Sequence, residues 1–551
     1  MKRNHQQTTK TGVNPLSDAR RVQDQRDRKG LGSKSRPEPL SKADLKAKEL
    51  WHRKSGTGFH LFVEYYGSQP KGIVYDDSDL INNRSGGDTT SFNNSTKQGK
   101  GMSRAAKRRK KKNSSKQKDP KIDISKASDD SEQPRTIMSP KFEAALEEKP
   151  NFRLISSMLS SMSVALPLTF RIRHPSFISE SLKSDAEKVI EQLKSKYSHL
   201  VHPVKYDATR STIYQATPKS TVTRFNLGKL SPELKSLILE ATASGIMARQ
   251  ELGSMLPVIA LEGIRHLKYG SKVLDMCASP GSKTLQALEI VASSPVQPQK
   301  CKPGRIVAND VHPKRLGSLK DAIQRSGVSS SLTDRIVYTN HDASKFPTPK
   351  SGSKFDCIIA DVPCSGDGTI RKDPHILPGW VPSISNSLHG LQLNILKRAI
   401  KLLKVGGVVA YSTCSLNPIE DEAVVASALS WGNRFEDCSV ELLDWPHKAL
   451  PGFKRRPGVI SWRVGNYHEH GSGTDADFEG AKRIQWYDNL ADASNDAMPH
   501  ASSTMWPGSL EKINLEKCTR LLPQDNETGG FFVALIRKNA DIETQFAKNK
   551  K

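Results

Sequence analysis

From residue 271 onwards, apolar runs alternate with segments of helical periodicity. Five short apolar runs predict strands, at 272–276, 305–309, 335–339, 355–360 and 407–412. Helix-like segments separate them, the clearest being Ser387–Leu403, and a continuously apolar run, Gly529–Ile536, predicts a buried strand that closes the sheet. Strands that alternate with helices form a mostly parallel sheet, so the pattern predicts an α/β fold.

Residues 136–250 contain a second, smaller set of elements. These are the predicted strands Leu166–Arg173 and Ser211–Gln215 and the predicted helices Glu180–Tyr197 and Pro232–Gly245. We interpret 136–250 as an N-terminal α/β domain that serves as an RNA-binding platform. Residues 251–540 would then be the catalytic domain, followed by a tail at 541–551.

Residues 1–135 are polar, basic and poor in apolar periodicity, which predicts a largely disordered basic arm with a low-complexity insertion at 77–135. They carry 31 Lys and Arg against 16 Asp and Glu, more than half of the net charge of +26. Within them, Phe59–Tyr66 is a short aromatic island that could dock on a folded body. A basic arm on a mildly basic body favours an RNA or DNA partner, or an acidic protein.

The most basic part of this arm lies between residues 97 and 118. It has eleven basic residues and no acidic one, and its centre is Lys107–Lys112. Such a run is a candidate nuclear-localisation signal, read by an import receptor, or a sequence-blind RNA patch; the alternative is a solvated linker. We predict a nuclear or nucleolar protein, with the cytoplasm as the alternative location.

Composition also excludes several classes of protein. No apolar run approaches the ~20 residues that a helix needs to cross a bilayer, so no membrane partner is expected. The seven cysteines include no C-x-x-C pair, which argues against a zinc or thioredoxin-like site and predicts no metal. Their odd number in a long chain favours a reducing, intracellular compartment.

The predicted strand 272–276 ends in a turn of small residues, Cys277–Ser282, that opens a helix. Open α/β sheets bind their cofactors at this point. The turn has a single glycine and matches neither G-x-G-x-x-G nor a phosphate-binding loop, which disfavours a pyrophosphate cradle. A compact turn of Ala278, Ser279 and Gly281 suits the amino-acid end of a cofactor such as S-adenosylmethionine.

Acidic residues follow the next predicted strands. Asp310 ends the second strand, where a carboxylate usually accepts hydrogen bonds from ribose hydroxyls. Asp342, within Asn340–Asp342, follows the third strand and could lie near an adenine ring. The alternative is that each acid caps its strand, but acids at three successive strand ends weaken that alternative.

Two loops carry candidate catalytic residues. Asp361–Thr369 and Tyr411–Pro418 each follow an apolar strand, so Cys364 and Cys414 should emerge at the carboxyl edge of the sheet. Two thiols and a carboxylate beside a methyl donor favour methylation of carbon 5 of a pyrimidine. A thiolate that adds to carbon 6 makes carbon 5 nucleophilic, and a base then removes the carbon-5 proton so that the thiol can leave. Spacing alone does not rank the two thiols.

Three segments resemble signature motifs of the NOL/Nop/Sun (RsmB-like) RNA cytosine-5 methyltransferases: Asp275–Thr284, Asp361–Thr369 and Ser412–Pro418. Others resemble the eukaryotic tRNA methyltransferase branch, namely Leu166–Ile172, Arg249–Pro257, Asn340–Ser344, His389–Leu393, Leu515–Pro523 and Thr528–Val533. The resemblance covers about 150–540. It implies a Rossmann-like class I sheet that depends on S-adenosylmethionine, with the smaller α/β domain in front.

The resemblance implies that Cys414 is the nucleophile and that Cys364 assists release of the methylated product. It also implies that Asp361 faces the base and that Lys283 is a polar residue of the active site; the alternative for Lys283 is a surface lysine at a helix N-terminus. The residues implied to contact S-adenosylmethionine are Cys277, Ala278, Ser279, Pro280, Gly281, Ser282, Lys283, Asp310, Asp342 and Asp361.

The sequence therefore predicts a monomeric RNA methyltransferase that forms 5-methylcytosine in tRNA through a covalent cysteine–cytosine adduct. Ribosomal RNA is the alternative substrate, since a Lys-rich arm would also suit the nucleolus. A further alternative is a non-catalytic RNA-binding or assembly factor. The two cysteines, the cofactor turn and the strand-end acids are all present, which argues against that alternative.

Overall fold

Helices and strands alternate along most of the computed structural model, which describes residues 56–69, 152–175, 177–204, 212–217, 220–292, 302–349, 352–434, 439–467, 484–508 and 513–541. These residues belong to one compact unit, Met1–Asn83 with Met138–Lys551. The basic run at 97–118 and the tail at 542–551 lie outside the described residues.

The first elements include a small antiparallel sheet. They are α1 (Gly56–Gly67), α2 (Phe152–Ser163), β1 (Thr169–Ile172), α3 (Lys183–Ser195), β2 (Val201–Pro203), β3 (Thr212–Ala216), α4 (Leu227–Leu230), α5 (Pro232–Ala243) and β4 (Met247–Arg249). The sheet order is β2-β3-β1-β4. Helix α5 begins where its sequence predicts, because Ser231 accepts a hydrogen bond from the Leu234 amide (3.2 Å) and Pro232 follows it.

Side chains alternate across the small sheet. Phe170 and Ile172 of β1 lie in a hydrophobic cluster with Ala186 and Leu193 of α3, so the helices cover this face. Arg171, between them, therefore points to the opposite face. The strands and helices predicted within 136–250 are confirmed, with ends shifted by a few residues.

The second set of elements builds the large sheet. They are α6 (Leu252–Gly263), β5 (Lys272–Asp275), α7 (Ser282–Ala292), β6 (Arg305–Asn309), α8 (Pro313–Gln324), α9 (Ser330–Thr333), β7 (Ile336–Thr339), β8 (Phe355–Asp361), α10 (Pro382–Leu402), β9 (Leu403–Thr413), α11 (Glu422–Gly432), β10 (Val440–Leu442), β11 (Arg456–Pro457), β12 (Val464–Tyr467), β13 (Ile484–Tyr487), α12 (Leu490–Asn495), β14 (Thr519–Leu521) and β15 (Phe531–Lys538).

The large sheet is mostly parallel at its centre. Its order is β11-β14-β15-β9-β8-β5-β6-β7, with β10 added beside β15. Strands β5 to β9 pair in parallel, and the chain reverses its direction of addition at β5, because β6 and β7 lie on one side and β8 and β9 on the other. This reversal opens a crevice at the carboxyl ends of β5 and β8, where open α/β sheets bind ligands.

The five predicted parallel strands are confirmed, and both faces of the sheet are covered. Val273, Leu274, Ile358 and Ile359 are all fully buried, as in parallel sheets with helices on each side. The apolar run Gly529–Ile536 becomes β15, which is antiparallel to β9. It ends the parallel part of the sheet but is not its edge, because β14 and β11 lie beyond it.

Helix α1 is the aromatic island seen in the sequence. It packs on the catalytic part of the chain, with Phe62, Tyr65 and Tyr66 at most 1% exposed. The Phe62 ring meets the edge of Trp380 at 5.2 Å between centroids, and Tyr65 stacks on Trp486 at 5.3 Å. The docking prediction is confirmed, and part of residues 1–135 is ordered. The predicted domain boundaries stay predictions.

Candidate active site

The cofactor turn joins β5 to α7 and is held from both sides. The Ala278 amide donates to the carbonyl of Asn309 at the end of β6 (2.8 Å). Ser279 and Arg315 exchange two hydrogen bonds, of 2.9 and 3.1 Å. Gly281 is required here, because its φ is +108° and a Cβ would lie 2.5 Å from Leu319 Cδ1. The turn is thus fixed against the second strand and its helix.

Asp275 ends β5 directly behind this turn and is 1% exposed. Its Oδ2 accepts a hydrogen bond from the Thr284 hydroxyl (2.7 Å), while its Oδ1 is buried without a partner among the described residues. Burial raises the pKa of Asp275 to about 7, helped by the charge of Asp361. Burial and neighbouring acids also raise the pKa of the Cys277 thiol, so Cys277 stays neutral.

The two strand-end acids differ in their surroundings. Asp310 is 3% exposed; its Oδ1 accepts from the His312 amide (3.0 Å) and its Oδ2 lies 3.5 Å from Arg315 Nε. Asp342 caps a short helical turn, since its Oδ1 accepts from both the amide and the hydroxyl of Ser344. The capping alternative therefore applies to Asp342, with its other oxygen left for a ligand.

The two candidate catalytic cysteines lie side by side. Cys364 follows β8, Cys414 follows β9, and their sulfur atoms are 3.1 Å apart. Gly368 allows the two loops to meet, because its amide donates to the Cys414 carbonyl (3.0 Å) and a Cβ would lie 2.8 Å from that oxygen. The hydrogen bond from Cys414, together with burial, raises the pKa of Cys364 well above its usual range. Cys364 therefore keeps its proton and can donate it towards the Cys414 sulfur.

A buried ion pair stands beside the cysteines. Lys283 Nζ lies 2.8 Å from Asp361 Oδ2 and donates to the Ser254 hydroxyl at 2.9 Å. Asp361 Oδ1 accepts from the Ser412 hydroxyl (2.7 Å). Burial would lower the pKa of Lys283, but the charges of Asp361 and Cys414 outweigh it and the pKa is raised. Lys283, only 11% exposed, is thus not the surface lysine of the alternative, and its ammonium favours a thiolate on Cys414.

Glu420 supports both cysteine loops and was not identified from the sequence. Its Oε2 accepts from the Ser365 amide and Gln392 Nε2, both at 2.8 Å. Its Oε1 accepts from the hydroxyls of Ser385 (2.8 Å) and Ser415 (2.7 Å). Ser365 and Ser415 directly follow the two cysteines, so one fully buried carboxylate sets the spacing of the two sulfurs. The signal in the sequence was the run Glu420–Glu422, three acids immediately after a cysteine loop.

Asp367 and helix α1 form a second support. Asp367 Oδ1 accepts from the Leu416 amide (2.8 Å), and its Oδ2 accepts from Trp380 Nε1 (3.2 Å) and from the Tyr66 hydroxyl. The Tyr65 hydroxyl donates to Asn417 Oδ1 at 3.1 Å. Burial, followed by the charge of Glu420, raises the pKa of Asp367 to about 6. The tyrosines of α1 therefore reach the loops on either side of the cysteine pair.

The structure brings most predicted site residues to one edge of the sheet. Cys364, Cys414, Asp361 and Lys283 form one cluster beside the turn that carries Cys277–Ser282. Within the described ranges, no group of three or more His, Cys, Asp and Glu side chains could hold a metal ion. Nor is any helix in those ranges long and apolar enough to span a bilayer.

The geometry agrees with a comparison to protein families. Residues 264–456 match the family model described as 16S rRNA methyltransferase RsmB/F. These residues form an RsmB/F methyltransferase domain. The RsmB/F domain includes the cofactor turn, both cysteine loops and Glu420, and it ends shortly before β12.

Three curated relatives extend beyond this domain. The chain is 35% identical over 436 residues to a multisite-specific tRNA:(cytosine-C(5))-methyltransferase of Schizosaccharomyces pombe, covering 73% of this chain and 59% of that protein. It is 38% identical over 321 residues to a tRNA (cytosine(34)-C(5))-methyltransferase of Drosophila melanogaster (57% and 39%). It is 34% identical over 410 residues to the multisite-specific enzyme of Saccharomyces cerevisiae (70% and 52%). The chain thus spans about half the length of these relatives.

Proposed function

We propose that this chain is an S-adenosylmethionine-dependent RNA methyltransferase that forms 5-methylcytosine, with tRNA as its substrate. The observation that carries the proposal is the pair of sulfur atoms 3.1 Å apart beside the Lys283–Asp361 ion pair. A site that only bound a methyl donor and a small acceptor would not need two thiols. The names of the three relatives support the choice of cytosine carbon 5 and of tRNA.

The residues present fit S-adenosylmethionine. The turn Cys277–Ser282 carries only small side chains, and Asp310 and Asp342 lie at the ends of neighbouring strands, each with an oxygen available to hydroxyl or amino donors. The buried Oδ1 of Asp275 lacks a partner among the described residues. When bound, the cofactor supplies an electrophilic methyl group. Cys277–Lys283, Asp310, Asp342 and Asp361 would hold it.

The chain's own residues account for the other steps. The Cys414 sulfur forms a bond to carbon 6 of the cytosine, favoured by the nearby ammonium of Lys283. Asp361, oriented by Lys283 and Ser412, accepts a hydrogen bond from the protonated ring nitrogen 3 of the adduct. After methylation, the Cys364 sulfur removes the carbon-5 proton, and the bond between carbon 6 and Cys414 breaks.

The test measures methyl transfer to a tRNA transcript and the covalent adduct on a denaturing gel. Cys414→Ala should abolish both, and Cys364→Ala should accumulate adduct while releasing little product. Cys357→Ala is the control, since Cys357 is buried in β8 away from the pair and should retain transfer. Full transfer by Cys414→Ala would refute the covalent mechanism, and methylation of a ribosomal fragment in place of tRNA would refute the substrate assignment.

We also propose that the protein is a monomer that enters the nucleus through its basic run Lys107–Lys112. Support comes from eleven basic and no acidic residues between 97 and 118. Fusing residues 95–120 to a reporter tests import, and a purely cytoplasmic reporter would contradict it. Sedimentation equilibrium tests the monomer, and a concentration-dependent mass would contradict that part.

A further inference from the structure

A groove of about 570 Å³ separates the small sheet from the methyltransferase domain. On one side it is lined by the face of β1 that carries Arg171, and on the other by the turn Pro280–Ser282. Its volume falls within the ~300–1,000 Å³ of pockets that take small ligands, which suits a nucleotide of a longer strand. The groove therefore leads directly to the turn that the proposed function assigns to the cofactor.

The groove keeps a surplus of positive charge after its internal pairs are removed. Arg171 and Arg173 are buried and both pair with Glu289, so they stabilise the groove wall. Four other cations at the groove are exposed, namely Arg224, Arg249, Arg325 and Lys372. No ion pair joins these four to a carboxylate in the described ranges. Such uncompensated cations attract a phosphate backbone.

The groove also presents an aromatic ring to solvent. Phe225 is 65% exposed, and the guanidinium of Arg224 lies 4.4 Å from its ring centroid. The loop is fixed by Asn226, whose Oδ1 accepts from the Thr223 amide (2.7 Å) and whose Nδ2 donates to the Thr221 carbonyl (2.9 Å). An apolar ring held out to water on a hydrogen-bonded loop is unfavourable unless something covers it.

We propose that this groove binds the single-stranded RNA next to the target cytosine. A base stacks on Phe225, and Arg249, Arg325 and Lys372 contact phosphates. Base stacking on an exposed aromatic ring beside cations is the usual way in which proteins bind single strands. The proposal rests on the proposed RNA substrate and names the surface that would bind it.

The first experiment measures binding of a short fluorescein-labelled single-stranded RNA with one cytosine by fluorescence anisotropy. Phe225→Ala should raise Kd roughly 5- to 150-fold, the range for losing one base stack. Phe225→Tyr should restore affinity because it keeps the ring. A Kd for Phe225→Ala within about twofold of the parent protein would overturn the stacking role.

The second experiment measures the salt dependence of binding. Replacing Arg249, Arg325 and Lys372 together by Gln should lower the slope of log K against log salt by about 2, since each single-strand phosphate contact contributes ~0.7. An unchanged slope would remove these cations from the interface. The same variant should raise KM for tRNA while leaving kcat within about threefold, because none of the three touches the cysteine pair.

The matched control replaces Lys188, Lys194 and Lys196 by Gln. These exposed lysines lie on or just after α3, which covers the opposite face of the small sheet, and their loss should change neither slope nor KM. An equal loss in the control would mean that only net charge matters, which overturns the groove. Wild-type methylation of tRNA is scored separately. If it fails while the groove variants still lose RNA binding, the proposed function is wrong and the groove stands.

Discussion

Glu420→Gln is the sharpest test of how the two cysteines are positioned. The four groups that surround Glu420 all donate hydrogen bonds, which matches a carboxylate because it only accepts. A Gln side chain has nearly the same shape, but one of its oxygens is replaced by an NH2 donor. The Ser365 amide and Gln392 Nε2 can only donate, so the new carbonyl must face them and the NH2 must face the two serines.

The cost follows from this arrangement. Hydrogen bonds to a charged group contribute ~1.5–3 kcal/mol, and neutral ones ~0.5–1.5, so the two retained bonds lose about 1 kcal/mol each. The hydroxyls of Ser385 and Ser415 must turn round to accept, which costs more, whereas removal of a buried charge relieves desolvation. We expect a net loss of about 2 kcal/mol in the free energy of unfolding. A shift of ~1 Å between the sulfurs should lower kcat ~100-fold.

The assay combines urea unfolding with single-turnover methylation of tRNA. Glu441→Gln is the matched control, since Glu441 makes a surface ion pair with Arg537, is 33% exposed, and should cost less than ~1 kcal/mol with kcat unchanged. If Glu420→Gln loses stability but keeps kcat within about threefold, Glu420 supports the fold without positioning the sulfurs. If neither changes, the hydrogen-bond network is not as described.

Three other substitutions probe the rest of the site. Gly281→Ala places a Cβ 2.5 Å from Leu319 Cδ1 at φ +108°, so stability should fall by more than ~1 kcal/mol and calorimetry should show weaker S-adenosylmethionine binding; unchanged affinity would contradict this. Asp275 has a pKa raised from 3.8 to about 7, so the native state binds its proton more tightly than the unfolded chain does. Stability should therefore fall by up to roughly 4 kcal/mol as pH rises from about 4 to about 7, and Asp275→Asn should lack this slope in urea titrations at several pH values; equal slopes would refute it. Tyr66→Phe removes a donor to Asp367 but keeps the ring, so kcat should drop with little change in Tm, and an unaltered kcat would exclude a positioning role.

Much of the fold was predictable because local periodicity and sheet physics agree. The parallel strands are short apolar runs that end in polar turns, and both cysteines follow such strands, which sends them to the same edge. Their assignment as nucleophile and base came from the family resemblance and stays a prediction. What spacing could not give was the 3.1 Å separation of the sulfurs, since it depends on how two loops pack.

The missed residues share a physical cause. Glu420 acts through groups that lie between five and 55 positions away in the chain, and a buried acid looks like a surface acid until its donors are known. Asp342 was predicted as an adenine contact, yet one of its oxygens caps a helical turn, a local hydrogen bond that competes with any ligand. The position of α1 could not be derived because its partners are more than 300 residues distant.

That distance has a consequence for how the protein is made. Tyr66 and Asp367 are 301 positions apart, and Tyr65 and Asn417 are 352 apart. At ~5–20 residues per second, a ribosome that has finished the first tyrosine needs about 15–60 s to reach its acceptor. During that interval the aromatic face of α1 has no binding surface and must be shielded from other chains, as chaperones do for nascent segments. The catalytic loops of a newly made molecule are therefore completed by the part of the protein that was synthesised first.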